Sequence, residues 1–224
     1  MQLFITDFVQ KDNQITIKNQ WILDQIRKVL RMKIWDSFFV QQDNIRHEIK
    51  IENRDKDTIF GQILNTEKFT WTNNNHWIAI AMSNKRDKME LIVQKLSEIW
   101  IKNIYFRPSE RSIIRERNEK KLYRLEQIAK EAIEQSRWRY LPKIKFDKNI
   151  WNIISQYDDI VVFDKSDSKQ WINKSKWNIL WIIGPEWGLT QNDYKNFWNH
   201  KIISLWDTVL RTETASIIAG RLIN

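Results

Sequence analysis

Glycine is nearly missing from this chain: 4 of its 224 residues are glycine, against 13 tryptophans. At average usage of about 7%, a chain this long would carry roughly 16. No other feature constrains the fold as much, because tight turns and left-handed backbone positions rely on a residue without a side chain. Two explanations stand open. The tryptophans form an aromatic binding surface, or many of them occupy positions that the architecture asks to be glycine. The two counts together, 17, come close to the glycine number expected alone.

The rest of the composition is ordinary for a globular protein, with 42% hydrophobic and 29% charged residues. No apolar run approaches the ~20 residues of a membrane span. The start, Met1 to Asp7, lacks the basic and apolar regions of a secretory signal. There is no cysteine, which excludes disulfides, thiolate zinc sites and cysteine nucleophiles and fits a cytoplasmic protein. His47, His76 and His200 have no partner at metal-ligand spacing, so they read as polar or packing residues and no metal site is expected. Phosphate-binding P-loops, dinucleotide fingerprints and serine elbows are not found.

Residues 1–72 read as short β-branched or aromatic strands (Leu3–Ile5, Ile15–Ile17, Ser37–Val40, Ile49–Ile51, Thr58–Leu64), as in a small barrel. One helical stripe, Ile22, Ile26, Val29 and Leu30, interrupts them. The polar stretch at 72–75 marks a boundary, and from residue 73 to 224 the period changes. Helical stripes at 88–98, 122–133 and 212–222 alternate with apolar runs at 101–106, 159–163, 178–183 and 201–205. That alternation argues for an α/β domain with a mainly parallel sheet. The net charge of +9 is uneven: residues 73–146 carry 17 basic and 9 acidic residues, and each flanking third is near neutral. Such clustering is the footprint of phosphate binding, although Glu110, Glu116 and Glu119 interleave as they would on a solvated face.

Chemistry concentrates near the C-terminus. Ile182-Ile183-Gly184-Pro185-Glu186-Trp187-Gly188-Leu189-Thr190 runs from a strand into a compact turn, and Ser204 to Ala215, containing Leu210-Arg211-Thr212-Glu213-Thr214-Ala215, runs from a strand end into a helix. In open α/β sheets ligands sit at such carboxyl ends. These strings resemble the small-subunit ribosomal RNA methyltransferase E family of the SPOUT, or trefoil-knot, class. Lys28 to Asp36, Lys95 to Ile101, Ser109-Glu110-Arg111-Ser112, Glu134-Gln135-Ser136 and Leu141-Pro142 follow in the family's order.

The resemblance implies an α/β fold: a SPOUT-type knotted, Rossmann-like domain at 73–224 and a PUA-like, RNA-binding β-barrel at 1–72. It implies S-adenosylmethionine-dependent methylation of uridine N3 in 16S rRNA by a homodimer, with the small ribosomal subunit as partner. It places the cofactor against Phe163, Ile183, Gly184, Glu186, Gly188, Ser204, Leu205, Trp206, Leu210 and Arg211. Arg211, Glu186 and Glu213 are the candidate catalytic residues, Arg211 for charge developing on the uracil carbonyls and the glutamates as orienting groups or base. The carboxylates also suit structural roles in the turn and at the start of the last helix. RNA is expected on Arg27, Arg31, Arg107, Arg111, Arg137 and Arg139. Where the family has glycine, this chain has Trp35, Trp100, Trp187 and Trp206, which suggests UGA codons that the source reads as glycine. The family's arginine after Glu-Gln-Ser is Trp138 here, flanked by Arg137 and Arg139. The alternatives are another knotted RNA methyltransferase, acting on a ribose 2′-OH or a different base, and a non-catalytic rRNA assembly factor whose Trp187 and Trp206 fill the cofactor pocket.

Overall fold

The computed structural model describes residues 1–70, 76–83, 85–111, 119–146, 154–165, 178–197 and 200–223. The chain divides into two units, Met1–Trp71 with Ile133–Tyr140 and Thr72–Ala132 with Leu141–Asn224.

The first unit carries a six-stranded sheet. Its strands are β1 (Leu3–Ile5), β2 (Val9–Lys11), β3 (Gln14–Ile17), β4 (Ser37–Gln42), β5 (Ile45–Arg54) and β6 (Ile59–Lys68), in the order β1-β4-β5-β6-β3-β2. Only the β1–β4 pairing is parallel. Among the described residues β1 and β2 are the sheet's edges and do not pair with each other, so the hydrogen bonding is that of an open sheet. Helix α1 (Gln20–Asp24) starts where the Asn19 side chain accepts the Ile22 N–H, and a π-helical turn over Gln25–Val29 continues it. Its buried Ile22, Leu23 and Ile26 pack on Phe38, Ile49 and Ile59. β5 and β6 extend well past the expected apolar segments. β2, exposed throughout, has no buried residue to announce it.

The second unit holds a sheet of six strands, all parallel: β7 (Trp77–Ala81), β8 (Asn103–Arg107), β9 (Lys143–Phe146), β10 (Asp159–Phe163), β11 (Ile179–Ile183) and β12 (His200–Ile203). Their order is β12-β10-β11-β7-β8-β9. Every residue of β7, β8, β10 and β11 is buried, the signature of a parallel sheet covered on both faces. One face packs under α2 (Arg86–Glu98), α3 (Glu119–Ser136) and α5 (Thr212–Ile223), through Ile92, Val93, Leu96, Leu125 and Ala219. The other packs with Leu189 and Phe197, which flank the short α4 (Gln191–Lys195). α2 and α5 approach closely at Gly220, where a Cβ would stand 2.7 Å from Leu96 Cδ2. No helix among the described residues is long and apolar enough to cross a membrane.

Two tryptophans hold backbone conformations that side chains avoid. Trp35 has φ +79° and Trp100 has φ +76°. Trp100 closes α2 in a Schellman arrangement: its N–H donates to the Ser97 carbonyl (3.1 Å) and that of Ile101 to Leu96 (2.9 Å). The left-handed position of this cap is ordinarily glycine. Both indoles point largely into solvent. Trp187 and Trp206 do not have positive φ, so the backbone itself does not demand glycine there. Trp77 and Trp181, by contrast, are buried core residues.

Candidate active site

A cleft opens at the carboxyl ends of β10, β11 and β12. Three segments build it: Phe163–Lys165 after β10, Ile183–Leu189 after β11, and Ser204–Leu210 after β12; Thr212 and Ala215 of α5 close the back. Of the residues expected around a cofactor, Phe163, Ile183, Gly184, Glu186, Gly188, Ser204, Leu205, Trp206 and Leu210 all line it. Arg211 does not. It borders an adjoining compartment with Lys85, Lys88, Glu186, Val209 and Leu210. The turn after β11 is closed by the Gly188 N–H donating to the Pro185 carbonyl (2.9 Å), with Gly188 at φ +72°. The Thr212 hydroxyl ties α5 to the Gly184 carbonyl at 3.3 Å.

Phe163, Ile183, Leu189, Leu205, Leu210 and Ala215 give this cleft apolar walls. Among the described residues, none of the backbone N–H groups from Leu205 to Leu210 donates to another backbone carbonyl. Apolar walls with unused backbone donors suit a ligand that combines an aromatic ring with polar groups. Trp187 and Trp206 are 77% and 61% exposed, so their indoles do not fill the cleft, contrary to the scaffold alternative.

Beside the cleft the Lys88 ammonium pairs with the Glu186 carboxylate and lies 3.4 Å from Glu213 Oε2. The hydrogen bond from Lys88, then its charge and those of Lys85 and Arg211, hold Glu186 below the usual carboxylate range, and the same contact raises Lys88. A carboxylate stabilised in its charged form is a poor proton acceptor near neutral pH. Sequence reasoning missed Lys88. The available signal was its place in the first helical turn after a strand's carboxyl end.

The loop after β8 braces the turn from outside. Glu110 accepts hydrogen bonds from the Thr190 hydroxyl and, at 3.3 Å, from the Asn192 amide, while the Arg111 guanidinium donates to the Trp187 carbonyl. Thr190 and Asp193 form a capping box at the start of α4. Arg111 is therefore committed to the turn.

Arg107 corrects an expectation. Its side chain is 1% exposed, 3.7 Å from Asp193, with the guanidinium over the Phe197 ring, so it is closed to RNA. Among the described residues its Nε and Nη2 have no hydrogen-bond partner, and burial, opposed by Asp193, lowers its pKa to about 10. The basic residues of the middle third are divided between the two units. Arg137 and Arg139 belong to the first unit, where Arg139 pairs with Glu67 (2.9 Å), and Arg124 lies 3.5 Å from Glu90 in the second. Arg27 and Arg31 lie in the first unit, with Arg27 donating to the Lys56 carbonyl and Arg31 exposed. Arg46, which sequence reasoning did not single out, is buried there and donates to the carbonyls of Arg137 (3.2 Å) and Trp138 (2.6 Å). Ser112, Arg115 and Arg117 lie outside the described residues.

A family model described as an RNA methyltransferase domain matches residues 72–224. The ribosomal RNA small subunit methyltransferase E of Buchnera aphidicola subsp. Acyrthosiphon pisum is 30% identical over 207 residues, covering 87% of this chain and 81% of the relative. Its namesake from Bacillus subtilis is 25% identical over 218 residues, covering 87% of this chain and 83% of its own. Among solved structures, a ribosomal RNA small subunit methyltransferase E from Neisseria gonorrhoeae, crystallised bound to S-adenosyl methionine, matches with a TM-score of 0.84 at 21% identity, over 100% of this chain and 96% of its own.

Proposed function

We propose, from the premise that this chain belongs to the ribosomal RNA small subunit methyltransferase E family of RNA methyltransferases, that it transfers a methyl group from S-adenosylmethionine to N3 of a uridine in 16S rRNA. The observation that carries this reading is the cleft at the ends of β10–β12, with apolar walls, free backbone donors and Arg211 on its margin. Bound there, S-adenosylmethionine would supply an electrophilic sulfonium methyl group. Phe163, Ile183, Leu205 and Leu210 would exclude water from its adenosine part, and the amides of the Ser204–Leu210 segment would orient its polar groups. Arg211, which has no ion-pair partner among the described residues, would meet negative charge developing on the uracil carbonyl oxygens. Holding the reacting groups in line supplies much of the rate gain.

In this reading Glu186 and Glu213 organise cations, and the imide proton passes to solvent water as the N3–methyl bond forms and the sulfonium–methyl bond breaks. Surface cations of the first unit, Arg27, Arg31, Arg137 and Arg139, would contact RNA phosphates on a PUA-like barrel. The target base, sitting in folded RNA, would have to be unstacked to reach the cleft. The knotted backbone, a homodimer, the small ribosomal subunit as partner and a cytoplasmic location belong to the same reading.

Calorimetry with S-adenosylmethionine and a methyl-transfer assay on small-subunit rRNA test it with the wild-type chain and Arg211→Ala. The expected result is cofactor binding by both and methyl transfer by the wild type alone. Near-normal turnover by Arg211→Ala would count against its role, and failure of the wild type to bind cofactor would overturn the reading.

A further inference from the structure

We propose that Lys88 is a positioning residue for methyl transfer, holding Glu186 and Glu213 together so that Arg211 stays free to meet the RNA; this rests on the functional reading above. Lys88 stands in the first turn of α2, just beyond the carboxyl end of β7. Its ammonium joins three segments that are distant in sequence: its own helix, the turn carrying Glu186, and the first turn of α5 carrying Glu213. Glu213 Oε2 is buried and accepts no hydrogen bond among the described residues, so the ammonium 3.4 Å away is its counter-charge. A carboxylate with a buried oxygen, deprived of such a partner, recruits another cation.

Two further cations, Lys85 and Arg211, border the same compartment, and the charges of both already act on Glu186; Arg211 also lies two residues before Glu213. With Lys88 present, the compartment and Glu213 together have three cations (Lys85, Lys88 and Arg211) for two carboxylates, which leaves one cation over. Without Lys88 the numbers match: Lys85 and Arg211 are left to answer both carboxylates, and Arg211 is no longer spare. Lys88 thus acts through Arg211, without touching substrate itself.

The test uses the full chain with Lys88→Met, which keeps the apolar stem and removes the charge, and Lys88→Arg, which keeps the charge. Expected for Lys88→Met is a fall in kcat of thirtyfold or more on small-subunit rRNA, with the Kd for S-adenosylmethionine within threefold of wild type. Lys88→Arg should recover most of the loss. Carbon-13 titration should show the Glu186 carboxyl group moving upward in Lys88→Met, where the hydrogen bond that lowers it is gone. A kcat within threefold of wild type overturns the proposal. So does a loss of turnover that only tracks weaker cofactor binding, or one that Lys88→Arg does not recover. A wild-type chain that methylates no rRNA refutes the functional reading itself, whereas equal turnover by wild type and Lys88→Met refutes only the role of Lys88.

Discussion

Replacing Trp100 by glycine and, separately, by alanine isolates the backbone cost of the tryptophan at the end of α2. Both variants delete the same indole, so lost packing cancels between them and only the preference for φ +76° remains. An L-residue in the left-handed region costs roughly 1–2 kcal/mol, while glycine gives up roughly 0.5–1 kcal/mol through its freer unfolded chain. Trp100→Gly should therefore be more stable than Trp100→Ala by about 1 kcal/mol, a melting difference of about 2–4 °C for a chain of this size. Gln94, exposed in the middle of α2, supplies the control. There alanine should exceed glycine by about 1 kcal/mol, the ordinary helix order. Urea denaturation followed by circular dichroism measures both pairs. Alanine equal to or better than glycine at position 100 would refute the cap argument. The gene offers a parallel check: UGA is expected at Trp35 and Trp100, and UGG there would contradict a reassigned codon.

Other outcomes follow from the second unit and from the surface cations. Asp193→Ala strands the buried Arg107 guanidinium and should cost about 3–5 kcal/mol in urea denaturation, a loss under 1 kcal/mol contradicting the buried pair. A Cβ at Gly188 meets nothing within 4 Å, so Gly188→Ala should cost only the backbone penalty of about 1 kcal/mol, together with weaker S-adenosylmethionine binding by calorimetry. If Arg27, Arg31, Arg137 and Arg139 each contact a phosphate of single-stranded RNA, log affinity against log salt should slope at about −3 and lose about 0.7 on removal of any one. A flat dependence would leave these arginines as solvated surface.

The parts of the fold legible in the sequence were those where burial leaves a pattern. Asp159–Phe163 is buried on both faces of a parallel sheet and reads as one apolar run with sharp ends. β5 was legible only at its centre, Ile49–Ile51, and β6 only in its first half, because Arg46, Thr66 and Glu67 continue the ladder with polar side chains. The cleft could be placed because strand-end turns are local: residues 183–188 and 204–210 are each consecutive and follow β11 and β12, the two parallel strands that flank β10. Lys88 could not be, since its meaning comes from two carboxylates about a hundred or more residues further on. Arg107 failed for the same reason. Counted along the chain it joins a basic cluster, and only the arrival of Asp193 and Phe197 turns it into a core residue. Glycine scarcity was legible as an anomaly, but the conformations of Trp35 and Trp100 separate them from buried Trp77 and Trp181.

The most direct measurement is the identity and position of the methyl group. Purified chain, S-adenosylmethionine and small-subunit rRNA are incubated, and the RNA is digested and mapped by mass spectrometry. The account predicts a single methylated uridine per small-subunit rRNA, carrying the group on N3 of the base. Transfer to a ribose 2′-oxygen or to another base, or no transfer by a chain that binds the cofactor, would contradict it.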